Sequence, residues 1–287
     1  MPNLNTPHVG PYQVSARLGQ GAMAQVYQAA DPTGREVAVK VLHPHLTDDA
    51  GFLDRFRREA EAAMRLDHPN IGHVLDHGGE DNCHYLVMEL VAGPSLRAWL
   101  AGRHQPPALE ETIALVSALT DAVAYAHSRG VVHRDLKPSN ILLRGGRPEE
   151  PVLTDFGVAR MVDATVATAA GAALGTPAYM APEQGQGQPG DERSDIYALG
   201  VLLYELVTGQ PPFQADSPYA LILQHIHTPP PAPRALRPDL PPALEAVILR
   251  ALQKDPAARY ATATAFAAAL RHSLTPPNRP PVNALSF

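Results

Sequence analysis

A short run of chemically active side chains between residues 133 and 140, His-Arg-Asp-Leu-Lys-Pro-Ser-Asn, constrains this chain more than any other feature. It brings a carboxylate (Asp135), a cation (Lys137) and an amide (Asn140) into one loop. A second carboxylate, Asp155, follows a short way downstream in a Thr-Asp-Phe-Gly run. The two runs together mark this part of the chain as the main candidate site.

A glycine-rich segment, Gly19 to Ala24, lies near the start and has the form G-x-G-x-x-A. That form also occurs in dinucleotide-binding turns, but those require a helix directly after the glycines. Here the turn sequence Asp-Pro-Thr-Gly at 31–34 and an apolar stretch at 36–42 predict a β-hairpin. A P-loop is excluded, because no Gly-Lys-Ser/Thr ends the run. Two readings remain: a plain hairpin turn, or a glycine loop whose backbone N–H groups approach phosphates.

Lys40 ends the apolar run Val-Ala-Val-Lys, one hairpin after the glycine loop. It is either a solvent-facing strand residue or a cation for phosphates. A cation that faces an apolar interior needs a partner. Glu59 is the candidate, because it lies on the helix that apolar spacing predicts over 48–66.

The chain divides by pattern into two parts. Strand patterns at 12–14, 25–29, 36–42, 71–76 and 85–90 surround the helix at 48–66, which must stop near Pro69. After Gly93, helical patterns follow at 95–101, 110–128, 199–206 and 244–252. The sequence therefore predicts a small strand-rich part and a larger helix-rich part, followed by a Pro-rich tail at 273–287 that we expect to be extended or disordered.

Charge and cysteine content narrow the class of protein. The net charge of −6 gives no bulk basic surface for nucleic acid or anionic lipid. The one cysteine, Cys83, cannot form an intrachain disulfide, and no Cys/His metal spacing surrounds it. The first residues do not resemble a secretory signal, and no apolar run reaches the roughly 18 residues of a membrane span. We therefore expect a cytoplasmic protein without a membrane span or a nucleic-acid partner.

Five motifs in order resemble the signature set of the protein kinase superfamily. They are the glycine loop, Val-Ala-Val-Lys at 37–40, the 133–140 run, Asp-Phe-Gly at 155–157 and Ala-Pro-Glu at 181–183. Phe-Arg-Arg-Glu at 56–59, His-Pro-Asn-Ile at 68–71 and Pro-Glu-Gln at 182–184 are similar to eukaryotic-like (Hanks-type) bacterial serine/threonine kinases. The resemblance spans about 12–272 and implies a bilobal α+β fold. The N-lobe, about 12–90, would be small and β-rich with one long helix, and the C-lobe, about 91–272, larger and helical.

The resemblance also implies a reaction, the transfer of the γ-phosphate of ATP to Ser/Thr hydroxyls of proteins, the chain itself included. Such catalysis is mainly positioning and electrostatics. Asp135 would accept the proton of the substrate hydroxyl, and Lys137 would lie near the γ-phosphate. Lys40, held by Glu59, would bind the α- and β-phosphates.

The same resemblance assigns the nucleotide and metal site. Asp155 and Asn140 would hold Mg²⁺, with Mn²⁺ as the alternative, since both offer hard oxygen ligands. The expected nucleotide contacts fall into three groups. The glycine loop contributes Leu18, Gly19, Gln20, Gly21, Ala22, Met23 and Ala24. The adenine lies between Val26, Ala38 and Leu142, with Met88 behind it and the backbone of Glu89 and Val91 beside it. Lys40, Asn140 and Asp155 complete the set.

Arg134, which directly precedes Asp135, indicates how the activity would be regulated. In similar kinases this arginine accompanies phosphorylation of the activation loop, because clustered cations favour an anion. Thr165 and Thr168 are the candidate acceptors, with Thr168 as the main one, and Thr176 would line the acceptor hydroxyl. The segment 169–174 contains only Ala, Gly and Leu, which predicts a mobile loop before phosphorylation.

Four further expectations and two alternative functions complete the interpretation. Met23 and Ala24 depart from the aromatic residue and the third glycine of the family pattern, so we expect altered kinetics rather than lost activity. Similar kinases imply a buried Glu183–Arg259 ion pair, an Asp195 that accepts backbone N–H groups, and a homodimer through the N-lobe. Two other readings remain open, a nucleotide-binding scaffold without turnover and a small-molecule kinase.

Overall fold

The computed structural model describes residues 8–21, 23–47, 50–80, 83–156 and 177–274. Eight strands occur there: β1 (His8–Val9), β2 (Tyr12–Gln20), β3 (Ala24–Ala30), β4 (Glu36–Leu42), β5 (Val74–Glu80), β6 (Cys83–Glu89), β7 (Ile141–Leu143) and β8 (Pro151–Leu153). The helices of the first half are α1 (Pro44–Thr47), α2 (Ala50–Ala63), α3 (Leu96–Ala101) and α4 (Leu109–His127). Those of the second half are α5 (Pro182–Gly185), α6 (Glu192–Thr208), α7 (Pro218–His227), α8 (Pro233–Leu236), α9 (Pro242–Ala251) and α10 (Ala263–His272).

The N-terminal lobe is built on an antiparallel sheet, whose order among the described strands is β1-β2-β3-β4-β6-β5. The turn between β3 and β4 forms as predicted, because Asp31 accepts hydrogen bonds from the backbone N–H groups of Thr33 and Arg35. Strand β4 is buried along nearly its whole length, and α2 packs Phe52 and Phe56 against the sheet. This lobe matches the predicted strand-rich part.

The larger lobe is helical and packs around α6. Every residue of α6 from Ser194 to Tyr204 is buried, which explains why the apolar stretch predicted at 199–206 extends further in both directions. Asp191 caps the helix by accepting the backbone N–H groups of Arg193 and Ser194. The lobe also holds the small β7–β8 hairpin, which lies beside the linker from the first lobe.

Two predicted boundaries were wrong. The strand expected at 71–76 begins only at Val74, because Ile71 forms an isolated bridge with Leu153 of the second lobe instead. The strand expected to run to residue 90 ends at Glu89, where the linker starts. Residues 275–287 of the predicted tail lie outside the described residues. Two other predicted segments were too short: the strand at 12–14 continues to Gln20, and the helix at 199–206 begins at Glu192. The other predicted helices and strands agree with the observed ones to within a few residues.

The linker between the lobes runs against the β7–β8 hairpin. The Gly145 N–H donates to the Ala92 carbonyl at 2.7 Å, and the Leu143 N–H donates to the Pro94 carbonyl at 2.9 Å. Gly93 has a φ of +146° and leaves no room for a side chain, since a Cβ would lie 1.8 Å from the Leu143 carbonyl oxygen. The lobes therefore meet along a closely packed main-chain contact.

Candidate active site

The centre of the site joins the two lobes through a single ion pair. The Lys40 Nζ on β4 lies 2.7 Å from the Asp155 Oδ1, which follows β8. Burial would raise the pKa of Asp155, but the charge and the hydrogen bond of Lys40, together with the charges of His133 and Lys137, hold that pKa below its usual value. Both side chains are largely buried, so a lysine cation and an ionised carboxylate face each other at this point.

The predicted pair between Lys40 and Glu59 stays a prediction. Glu59 lies on α2 with intermediate exposure and has interactions of its own. Lys40 forms an ion pair with Asp155. Sequence reasoning had placed both Lys40 and Asp155 in the site without expecting them to contact each other.

The loop at 133–140 holds its three reactive side chains together. The Lys137 Nζ donates to both Asp135 oxygens, at 2.9 and 2.6 Å. The Asn140 Nδ2 donates to the Asp135 backbone carbonyl at 2.8 Å and to its Oδ2 at 3.0 Å. Because the amide nitrogen of Asn140 is used in this way, its oxygen is the atom that can ligate a cation. Asp135 remains partly exposed, which suits a group that must meet a substrate.

Buried Asp195 of α6 sets the backbone of this loop. Its carboxylate accepts the backbone N–H groups of His133 at 2.9 Å and Arg134 at 2.8 Å, as predicted. It also contacts the His127 Nε2 at 2.8 Å. Burial would raise the pKa of Asp195, but the His127 hydrogen bond and the charge of His133 lower it below the usual value. Sequence reasoning missed His127, whose apolar helical stripe gave no sign of this contact.

His133 and Phe156 pack rather than react, as the sequence interpretation held. Their rings lie 4.7 Å apart in an edge-on arrangement, and the His133 Nε2 contacts the Thr154 backbone carbonyl at 2.9 Å. Arg134 adopts a φ of +66° and Asp155 one of +68°, which are uncommon for these residue types. Such backbone at a site is typical of functional loops held by their surroundings.

A buried ion pair between Glu183 and Arg259 stabilises the part of the second lobe around α5. Two hydrogen bonds join them, at 2.8 and 2.7 Å, as the resemblance had implied. The Ser194 Oγ also donates to Glu183 at 2.6 Å. Burial would raise the pKa of Glu183, but Arg259 and Ser194 together keep it below the usual value. The pair fixes α5 and with it the residues that precede it.

The residues expected to contact an adenine lie on strands of both lobes. Ala38 of β4 pairs with Met88 of β6, and Val26 of β3 pairs with Lys40. Leu142 of β7 approaches from the other lobe, where it bridges Ser95. The adenine contacts expected of these residues stay a prediction.

Comparison with known families decides what this arrangement is. The family described as "Protein kinase domain" matches residues 12–274. The chain belongs to the protein kinase family. Its β-rich first lobe and helical second lobe are the kinase fold, and the α+β bilobal prediction is confirmed.

Similar kinases come from several bacteria. The chain is 44% identical over 270 residues to serine/threonine-protein kinase pkn3 of Myxococcus xanthus, covering 91% of this chain and 49% of that protein. It is 40% identical over 255 residues to serine/threonine-protein kinase PrkC of Bacillus subtilis, covering 88% of this chain and 39% of that protein. The chain thus spans about half the length, or less, of these relatives. A crystal structure of the Mycobacterium tuberculosis PknI kinase domain superposes with a TM-score of 0.75 at 34% identity, covering 93% of this chain and 98% of that one.

Several expected kinase residues lie outside the described part of the chain. They are Ala22 of the glycine loop and, within the segment 157–176, the three threonines Thr165, Thr168 and Thr176. The flanking loop residues are described: the Gly21 N–H donates to the Ala24 carbonyl at 2.8 Å, and Leu18 is exposed. Gly19 and Gln20 end β2, and Met23 packs against the cluster beneath α2.

Arg134 uses its side chain within the C-lobe. Its Nε donates to the Gly190 carbonyl at 2.7 Å, and its own carbonyl accepts from the Gln184 Nε2 at 3.0 Å. The arginine is therefore tied to residues on both sides of the turn that follows α5.

Neither a preformed metal cluster nor a bilayer-spanning helix occurs in the described ranges. No group of three or more His, Cys, Asp or Glu side chains there has an arrangement that could hold an ion. The oxygens of Asp155 and Asn140 still suit a hard cation that shares its coordination with phosphates and water. Of the helices in these ranges, none has both the length and the apolar character needed to cross a bilayer.

Proposed function

We propose that the chain is an ATP-dependent serine/threonine protein kinase that uses Mg²⁺. The observation that carries this proposal is the constellation of Asp135 with Lys137 and Asn140 on one loop and the Lys40–Asp155 pair between the lobes. Phosphoryl transfer needs fixed cations around the phosphates and a carboxylate that orients the attacking hydroxyl. The named serine/threonine kinases at 40–44% identity support the same activity.

Lys40, Asp135 and Lys137 have distinct roles in the proposed mechanism. Lys40 binds the α- and β-phosphates and neutralises part of their charge. Asp135 accepts a hydrogen bond from the substrate hydroxyl, orients it in line with the γ-phosphate and takes its proton. Lys137, already beside Asp135, stabilises the charge that spreads over the transferring group.

Asp155 and Asn140 would hold the divalent ion through their oxygens, and that ion would neutralise phosphate charge. Mn²⁺ is the expected alternative. The adenine would lie between Val26, Ala38 and Leu142. Val91 is buried, and its backbone N–H is used by no hydrogen bond among the described residues, which leaves this donor for a base.

Protein rather than small-molecule substrates are supported by the segment before α5. Pro177, Ala178 and Tyr179 are buried there, and the Tyr179 hydroxyl donates to Glu205 of α6. A rigid main-chain platform of this kind suits an extended peptide. Thr176, directly before it, is proposed to line the acceptor hydroxyl.

Phosphorylation of the chain on Thr168, with Thr165 as a second acceptor, is proposed as the activating event. Arg134 is the cation that would face the phosphate. A homodimer through the N-lobe, a cytoplasmic location and the absence of a nucleic-acid partner remain predictions of the same reading.

The test is phosphate transfer from labelled ATP and Mg²⁺ to a generic protein substrate and to the chain itself, beside Asp135→Asn. We expect label on Ser or Thr in the unchanged protein and little in the variant, with ADP binding kept in both. Mapping the labelled residue by mass spectrometry tests Thr168. ADP binding without any label would favour the alternative of a scaffold that binds nucleotide without turnover.

A further inference from the structure

An ion pair beside the linker connects the two lobes at a second place. The Arg144 Nη1, directly after β7 in the C-lobe, lies 2.7 Å from the Glu89 Oε1 at the end of β6 in the N-lobe. The side chain of Glu89 is 19% exposed and that of Arg144 38% exposed. Burial would raise the pKa of Glu89, but Arg144 lowers it below the usual value. The carboxylate is therefore ionised and paired across the two lobes.

Glu89 is also tied to its own lobe. Its backbone N–H donates to the His73 carbonyl at 2.8 Å, and its Oε2 accepts a longer contact, 3.5 Å, from the His73 N–H. Both carboxylate oxygens thus have a donor, one from each lobe. Glu89, from which the main chain runs on to Val91, is therefore hydrogen-bonded to both lobes.

The linker beyond Glu89 is held by the same hairpin that carries Arg144. Gly145, the next residue, donates its N–H to the Ala92 carbonyl at 2.7 Å. Arg144 therefore binds the linker at Glu89, and Gly145 binds it at Ala92. The stretch between these two points contains Val91, whose unused N–H faces no partner within the described chain.

We propose that Arg144 is a positioning residue for the adenine end of the nucleotide site: by holding Glu89, it fixes the linker backbone that hydrogen-bonds the base. This rests on the proposed function, since it needs a nucleotide that binds beside the linker. A partly exposed ion pair contributes little to stability by itself. Its effect comes from geometry, because hydrogen bonds to a base weaken steeply when the donor is displaced or turned.

A matched control lies on the same hairpin. Arg147 forms an ion pair with Glu150, three residues away, and both side chains are more exposed than the Arg144–Glu89 pair. Arg147→Gln removes the same charge from the same hairpin without touching the linker. The two variants therefore have the same net charge, but only Arg144→Gln loses the ion pair with Glu89.

The experiment measures the dissociation constants of ADP and of adenosine by calorimetry, using the full chain. We expect Arg144→Gln to weaken both ligands by about three- to tenfold, as for the weakening of one ordinary hydrogen bond to the base. Arg147→Gln should change neither beyond error. Adenosine matters because it carries no phosphate, so a loss confined to ADP would reflect bulk charge and would overturn the proposal.

A double-variant cycle adds a second readout. Glu89→Gln should weaken adenosine as Arg144→Gln does, and the double variant should be no worse than either single one, since each removes the same tether. Additive losses would overturn the proposal. If the Arg144→Gln variant binds ADP and adenosine as tightly as the Arg147→Gln variant does, and the unchanged protein transfers phosphate, this inference alone is overturned. If the protein without substitutions binds neither ADP nor adenosine, both this inference and the proposed function are overturned.

Discussion

The Lys40 ammonium of β4 lies 2.7 Å from the Asp155 carboxylate, 115 residues further along the chain. One residue belongs to the strand-rich lobe and the other to the helical lobe. In the proposed mechanism, the phosphates of a nucleotide would meet Lys40 and the carboxylate that would hold the metal ion at this one point. The distance between the lobes at this pair would then affect catalysis.

Replacement of Lys40 by Met should reduce the rate of phosphate transfer by about 10²-fold or more, because a charge-stabilising group in a partly buried site is lost. The measurement is kcat with a saturating protein substrate. Arg35→Met, which removes an exposed cation from the β3–β4 turn, is the control and should keep the original rate. A Lys40→Met protein with unchanged kcat would refute the assigned role.

Replacement of Arg259 by Met should lower the free energy of unfolding by about 3–5 kcal/mol, because the buried Glu183 carboxylate loses its partner. Urea denaturation measures this. Arg271→Met serves as the control, since its pair with Asp121 is about half exposed and should contribute less than about 1 kcal/mol.

The pH dependence of that variant has a defined sign. The pKa of Glu183 is held below its usual value in the folded protein. The pair's stabilisation is therefore complete above the ordinary glutamate range and is lost as the pH falls through the lowered pKa. The stability gap between the unchanged protein and Arg259→Met should narrow below about pH 4.5. A gap that stays constant down to pH 3 would contradict the ionised pair.

His225 of α7 should make the protein acid-sensitive. Burial, with the nearby charge of Lys254, lowers its pKa from 6.5 to about 3. Below pH 6.5 the unfolded chain takes up a proton that the folded chain excludes, so stability falls with pH between those two values. Lys254, whose pKa is lowered to about 8, stays charged throughout this window, and Tyr197, whose hydroxyl contacts His225, stays neutral because its pKa is raised.

The measurement for His225 compares the unchanged protein with His225→Gln at pH 7.5 and pH 5. The unchanged protein should lose about 2 kcal/mol more than the variant over this interval, at roughly 1.4 kcal/mol per pH unit below 6.5. Other titrating groups are common to both proteins and cancel in the comparison. Equal losses would show that His225 takes up its proton in the folded state.

Replacement of Gly93 by Ala should destabilise the contact between the linker and the β7–β8 hairpin. The added Cβ would lie 1.8 Å from the Leu143 carbonyl oxygen, and the φ of +146° is unfavourable for alanine. We expect a fall in the thermal midpoint of several degrees. Gly102→Ala, where a Cβ meets atoms only at 3.7 Å or beyond, is the control, and equal midpoints for the two variants would contradict the close approach.

Local pattern alone predicted most strands of the first lobe, several of the longer helices and the contents of the reactive loop, but not every boundary. The β3–β4 hairpin was predictable because a four-residue turn closes through contacts within itself. The proximity of Asp135, Lys137 and Asn140 was predictable because they share one short loop. The roles of these residues and the Glu183–Arg259 pair came from the resemblance to a family rather than from spacing.

The tertiary structure decided which distant groups meet. The Lys40–Asp155, His127–Asp195 and Arg144–Glu89 contacts were not predicted. The members of these pairs are separated by at least 55 residues. Their contact depends on how the linker, α6 and the β7–β8 hairpin pack. A side chain selects the donor or acceptor that packing brings within about 3 Å, and no local pattern in the sequence encodes that distance.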